Sequence, residues 1–95
     1  MDTLQTERFR NWFANLKDRR ARARIQVRID RAEDGNFGDH RSVGGGVSEM
    51  RLDCGPGYRI YYTIRGTELV ILLAGGDKST QDKDVIAAQD LARKI

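Results

Sequence analysis

The segment from Gly55 to Lys78 constrains this chain more than any other. It reads Gly-Pro-Gly-Tyr-Arg-Ile-Tyr-Tyr, passes a turn at Gly66, and continues Leu-Val-Ile-Leu-Leu-Ala-Gly-Gly-Asp-Lys. Gly-Pro-Gly makes a tight reversal. Tyr58, Ile60, Tyr62 and Ile64 alternate with Arg59, Tyr61, Thr63 and Arg65, the period of a strand with two unlike faces. Leu69 to Leu73 is continuously apolar, as in a central strand covered on both sides. Antiparallel pairing of these two strands returns Lys78, just past the second, to Arg59 at the start of the first. Two neighbouring cations near an aromatic strand face form a plausible phosphate site.

The rest of the chain falls around that pair. Residues 2–5 are short enough to be only a brief extended edge. From Thr6 the pattern is helical, with Phe9, Trp12, Phe13 and Leu16 at i, i+3, i+4 and i+7, the spacing of a core-facing stripe. Residues 19–33 fit both periods. Ala21, Ala23, Ile25, Val27 and Ile29 alternate, while Ala21, Ile25, Ile29 and Ala32 share a helical face. Alanine and arginine are strong helix formers and the segment exceeds a usual strand, so it reads as a helix stopped at Gly35. Asp39–Val43 reads as a short strand. Val47–Asp53 alternates, with Met50 and Leu52 on one face and Glu49 and Arg51 on the other. Ser79 or Thr80 can cap a last helix with a weak stripe of Val85, Ala88, Leu91 and Ala92. Strands grouped after helices imply an α+β domain over 1–95, with an antiparallel sheet of three to four strands. Two N-terminal helices should cover one face. The other face, carrying Arg59 and Tyr61, is expected to stay partly open.

Composition narrows the function classes. The 95 residues carry a net charge of +3, with 17 Lys and Arg against 14 Asp and Glu. A mildly basic surface favours an anionic partner, nucleic acid or acidic protein. Cys54 is the sole cysteine and His40 the sole histidine. That excludes an internal disulfide, a Cys-based metal site and a His-pair metal site, and no Ser-His-Asp set can be argued from one histidine. Gly44–Gly46 lacks the Gly-Lys-Ser/Thr ending of a nucleotide loop. No apolar run approaches the ~20 residues of a membrane span, and the start lacks a signal-peptide pattern, so a cytoplasmic location is expected.

What remains is a basic constellation of Arg51, Arg59 and Lys78, with Tyr61, Gln81 and Asp84 near it. Arg51 and Arg59 are roughly equidistant from the Gly-Pro-Gly turn and should meet across the ladder. Two readings fit: a phosphate cradle, or a salt-bridged sheet surface with Glu49, Glu68 or Asp77 as counter-ions. A second basic feature is the stripe Arg20, Arg24, Arg28 and Arg31 on the second helix. It is either a solvated face or a contact for an acidic partner or nucleic-acid backbone.

The order and spacing of these segments resemble a known family. Phe9 to Asp18, Ala21 to Arg31, Gly35 to Asp39, Val43 to Leu52, Gly55 to Tyr62 and Gly75 to Asp84 together resemble a RelE/ParE-superfamily toxin of a type II toxin–antitoxin system. The compact HigB-like addiction module killer proteins are the nearest branch. The resemblance implies two helices on a twisted antiparallel sheet, with a short C-terminal helix. It implies a metal-independent, cofactor-free, ribosome-dependent mRNA endonuclease in which the ribose 2′-hydroxyl attacks the adjacent phosphate. Arg51, Arg59, Lys78 and Asp84 then take the catalytic positions, and Tyr61 and Gln81 bind RNA. The implied partners are mRNA on the ribosome and a helix-turn-helix antitoxin, for which the stripe Arg20, Arg24, Arg28 and Arg31 is the candidate contact. One departure stands out. Active relatives often carry a tyrosine or histidine in the C-terminal region, whereas this chain has neither beyond Tyr62. The ParE-like alternative is a non-enzymatic gyrase inhibitor, and a degenerate toxin that only binds antitoxin is a third.

Overall fold

The computed structural model describes residues 1–95, in which five strands and three helices alternate in layers. The chain runs β1 (Asp2–Gln5), α1 (Glu7–Ala14), α2 (Arg19–Glu33), β2 (His40–Gly44), β3 (Val47–Arg51), β4 (Arg59–Arg65), β5 (Leu69–Gly76) and α3 (Gln81–Lys94). The sheet order is β1-β5-β4-β3-β2. The α+β expectation holds, and 19–33 is a helix as its composition implied. Two features of the sheet differ. It has five strands, not three to four, and it is mixed, because β1 pairs parallel to β5 at one edge. The apolar run of β5 is explained by that edge. With β1 on one side and β4 on the other, β5 is interior and needs no polar face.

Local signals set the element ends. Thr6 caps α1, accepting from the Phe9 amide at 3.1 Å, and its hydroxyl donates to the Leu73 carbonyl at 2.6 Å. Asp18 caps α2 through the amides of Arg20 and Ala21. Thr80 occupies the N-cap position of α3, one of the two residues expected, but the side-chain cap lies one turn earlier. Asp77 accepts from the Ser79 amide at 2.8 Å and starts a single 3-10 turn over Lys78–Thr80, and Thr80 makes no side-chain cap bond.

Two cores lie on opposite faces of the sheet. On the first, α1 and α2 bury Phe9, Ile25 and Ile29 against Met50, Ile60, Tyr62, Val70 and Leu72. On the second, α3 sets Ala88 and Ala92 against Val47, Tyr61, Ile71, Leu73 and Ala74. A bulge between Tyr61 and Tyr62 lets Leu73 and Ala74 both face α3. The second face is therefore not open, which corrects the sequence expectation. Small alanines let α3 approach closely, and a weak hydrophobic stripe proved sufficient to cover a sheet face that was already apolar.

Tandem Gly75 and Gly76 mark where both layers close on β5. A side chain at Gly75 would collide with the Trp12 indole from α1, and one at Gly76 with the Asp84 carboxylate from α3. Each glycine is required by the close approach of a different layer.

Candidate functional site

Strands β3 and β4 pair so that Glu49 lies opposite Tyr61 and Arg51 opposite Arg59. Paired residues share a face, so these four form a square on the α3 side of the sheet. Every buried side-chain polar atom without a hydrogen-bond partner belongs to this square: Glu49 Oε2, Arg51 Nε, Arg59 Nε and Tyr61 OH. Buried polar groups are normally paired, and unpaired ones cost about 1–3 kcal/mol each. Their confinement to one patch marks it as the place where the fold sacrifices stability.

Glu49, fully buried, holds the square together. Its Oε1 accepts from Arg41 Nε at 2.8 Å and from Gln81 Nε2 at 3.3 Å. Its Oε2 lies 3.0 Å from Arg59 Nε, close enough for ionic attraction but without the alignment of a hydrogen bond. Arg59 is only 8% exposed, and its Nη1 donates to the carbonyls of Gly57 and Tyr58, both at 3.2 Å. Its Nη2 is the one guanidinium nitrogen with no protein partner.

Beside the square, Arg51, Arg59 and Lys78 line one open cavity of about 260 Å³ with Asp39, Leu52, Asp53 and Gly57. The Gly-Pro-Gly turn builds it. Gly57 has φ +80°, which disfavours any side chain, and a Cβ there would meet Lys78 Cε at 2.9 Å. The bare Cα thus forms the bed for the lysine stem. Lys78 is exposed and makes no ion pair. Arg51 Nη2 donates to Asp39 Oδ1 at 2.7 Å. That hydrogen bond and the positive charge behind it hold the Asp39 carboxyl below its ordinary range. Three cations face two carboxylates at the cavity wall, so the local balance is positive but partly neutralised.

The remaining sequence candidates fall elsewhere. Tyr61 is fully buried under α3, so its ring is not presented to a base; burial, Glu49 and Asp84 together push its hydroxyl pKa up. Gln81 reaches the square through Glu49 and does not line the cationic cavity. Asp84 is buried over Gly76, accepts from Thr80 Oγ1 at 2.6 Å, and lies 3.8 Å from Arg8. It too is outside the cavity.

The arginine stripe of α2 divides. Arg28 is not a free surface cation: it donates to the carbonyls of Arg51 at 2.6 Å and of Phe37 and Asp39 at 3.0 Å. It ties the loop before β2 to the end of β3. Its partial burial pulls its pKa down. Arg20, Arg24 and Arg31 stay exposed. Arg24 and Arg31 rim a separate groove of about 380 Å³, with Val27, Leu52 and Cys54 in its walls.

Sequence reasoning treated Glu49 only as one possible counter-ion and gave no role to Arg41 or Asp39. Glu49 was identifiable in principle, because it shares the parity of Arg51 on an alternating strand. Asp39 and Arg41 come from the loop and edge strand, and only the folded register brings them in. No three His, Cys, Asp or Glu side chains converge in a metal-ligating arrangement, and no helix is long and apolar enough to cross a membrane.

An uncharacterized protein of Haemophilus influenzae (strain ATCC 51907 / DSM 11121 / KW20 / Rd) is 52% identical over 87 residues, which span 92% of this chain and 88% of that protein. The family described as "Phage derived protein Gp49-like (DUF891)" matches residues 11–94, covering α2, α3, strands β2 to β5 and the whole site. The chain therefore belongs to the phage-derived Gp49-like family.

Proposed function

We propose that this protein is the toxin of a type II toxin–antitoxin module and a ribosome-dependent mRNA endonuclease. The observation that carries this reading is the convergence of Arg51, Arg59 and Lys78 on one open cavity beside the unsatisfied square. A phosphodiester entering the cavity meets Lys78, which has no counter-ion, and the free Nη2 of Arg59. The attacking 2′-oxygen forms a bond to phosphorus and the bond to the 5′-oxygen breaks, leaving a 2′,3′-cyclic phosphate and a 5′-hydroxyl. Charge on the pentacovalent phosphate is greatest in the transition state, where preorganised cations stabilise it most. The 2′-hydroxyl proton leaves to water at the cavity mouth, and the Lys78 ammonium returns one to the 5′-oxygen. Asp84 acts at a distance, by holding Thr80 and the start of α3.

One observation favours a second, non-nuclease reading, as a gyrase inhibitor or a partner-only toxin. Arg59 is nearly buried and faces Glu49, and Arg51 is bound to Asp39. Such pairing lowers the attraction left for RNA. Expression without antitoxin separates the readings. Cut mRNA with wild type and intact mRNA with Arg59→Ala supports the nuclease. Broken chromosomes with intact mRNA support the gyrase inhibitor. Neither effect, from a folded protein, supports the partner-only toxin. The antitoxin we propose is a helix-turn-helix protein with an acidic segment that meets Arg20, Arg24 and Arg31 along the α2 groove.

A further inference from the structure

We infer that Glu49 is the positioning residue of the cationic site: it fixes the orientation in which Arg59 presents Nη2 to a phosphate. This inference rests on the nuclease reading for its consequence but on geometry for its content. An arginine at a strand end has four side-chain torsions and a guanidinium that swings freely unless tied. Here Nε is held by the Glu49 carboxylate at 3.0 Å, and Nη1 by two backbone carbonyls at 3.2 Å. Those contacts occupy two edges of the plane and leave the third nitrogen unpartnered. A carboxylate in that place does more than balance charge.

Glu49 is itself immobilised from three elements. Arg41 reaches it from β2, Gln81 from the first turn of α3, and Arg59 from β4. Its side chain is fully buried, so removing the charge leaves no water to replace it. Arg41 is more than half exposed and approaches from the sheet edge, away from the Arg51–Arg59 cavity. It makes the better-aligned contact, a hydrogen bond at 2.8 Å. The carboxylate is therefore aimed by Arg41 and shared with Arg59. That arrangement explains why Arg59 Nε and Glu49 Oε2 remain without a directed hydrogen bond. The compromise keeps the Arg59 plane turned to the cavity. Misplacing a catalytic group by about 1 Å costs on the order of 10²-fold in rate.

The test compares wild type, Glu49→Gln, Arg41→Ala and Arg59→Ala. Two readouts are used: cleavage kinetics on ribosome-bound mRNA, and the Arg59 Nε–H resonance by side-chain NMR. Glu49→Gln keeps the size but replaces one accepting oxygen with a donor NH2 and removes the charge, and backbone amide spectra check that it folds. It is expected to lower kcat by about 10²-fold with KM nearly unchanged, because the lost interaction is one of orientation in the transition state. The Arg59 Nε–H signal should shift and exchange with water at least about tenfold faster, for lack of the buried carboxylate. Arg41→Ala should give a smaller change of the same kind. If Glu49→Gln leaves kcat within about threefold while Arg59→Ala abolishes cleavage, the inference is overturned and the nuclease reading stands. If Arg59→Ala cleaves like wild type, Arg59 has no part in cleavage and the inference is overturned while the nuclease reading stands; if wild type leaves ribosome-bound mRNA intact, the nuclease reading fails, and an Nε–H signal unchanged in Glu49→Gln overturns the inference as well.

Discussion

The two faces of the sheet are built from the same strands and solve opposite problems. On the face toward α1 and α2 the packing is aromatic and saturated. Phe37 stacks on Tyr62 at 5.0 Å and 3°, Phe9 stacks on Phe13 at 6.1 Å, and Trp12 meets Tyr58 edge-on at 6.3 Å. No buried polar side-chain atom on that face lacks a partner. The face toward α3 has no aromatic pair and packs through small residues. It holds all four unsatisfied atoms and both buried charges of the Glu49–Arg59 pair. One face supplies the stability that lets the other hold charges in a strained arrangement.

The largest expected effect breaks the first face. Phe9→Ala removes a fully buried ring at the meeting point of α1 and the sheet. It should cost about 3–5 kcal/mol in urea unfolding. A loss below about 1 kcal/mol would show that α1 is peripheral to the core, which the burial of Phe9 contradicts. Arg59→Ala acts on the second face. It should reduce mRNA cleavage by about 10²–10³-fold, the usual result of losing one preorganised donor to a developing charge. If stability falls and the rate does not, the α3 face is a second structural core.

A sharper comparison lies within one helix. Arg28→Ala loses charged hydrogen bonds to three carbonyls and should cost about 1.5–3 kcal/mol. Arg24→Ala, one turn earlier and exposed, should change stability by less than about 0.5 kcal/mol while slowing association with an acidic antitoxin at low salt. Equal stability effects would refute the division of the stripe.

The smallest effect is a pH dependence. The Asp39 carboxyl titrates below its ordinary value in the folded chain because Arg51 binds it. A depressed acid contributes stability above its unfolded pKa and loses it as pH falls through the folded value. The Arg51–Asp39 contact should therefore persist at neutral pH and open only in acid, below the ordinary 3.8 of a carboxyl. Carbon NMR of the Asp39 carboxyl measures this directly. Titration at the ordinary value would show that the ion pair is not held in solution.

Alternation over 58–65 and the symmetry of Arg51 and Arg59 about Gly-Pro-Gly are local patterns. They were enough to pair β3 with β4 in the observed register and to bring Lys78 to Arg59, because period and turn position leave no other pairing with both apolar sets inside. The helical stripe of Phe9, Trp12 and Phe13 and the composition of 19–33 likewise settled α1 and α2 without tertiary help. Three things were decided only by the folded chain. Four residues at the N-terminus pair with β5 across more than sixty residues of sequence, and no local pattern encodes that parallel partner. The weak stripe of α3 buries Tyr61 because Ala88 and Ala92 bring the helix close to a face that β5 had already made apolar. Glu49 became the centre of the site because β2, β4 and α3 each send a donor to it. Periodicity reports which way a side chain points; what it meets there depends on which distant element arrives to cover it.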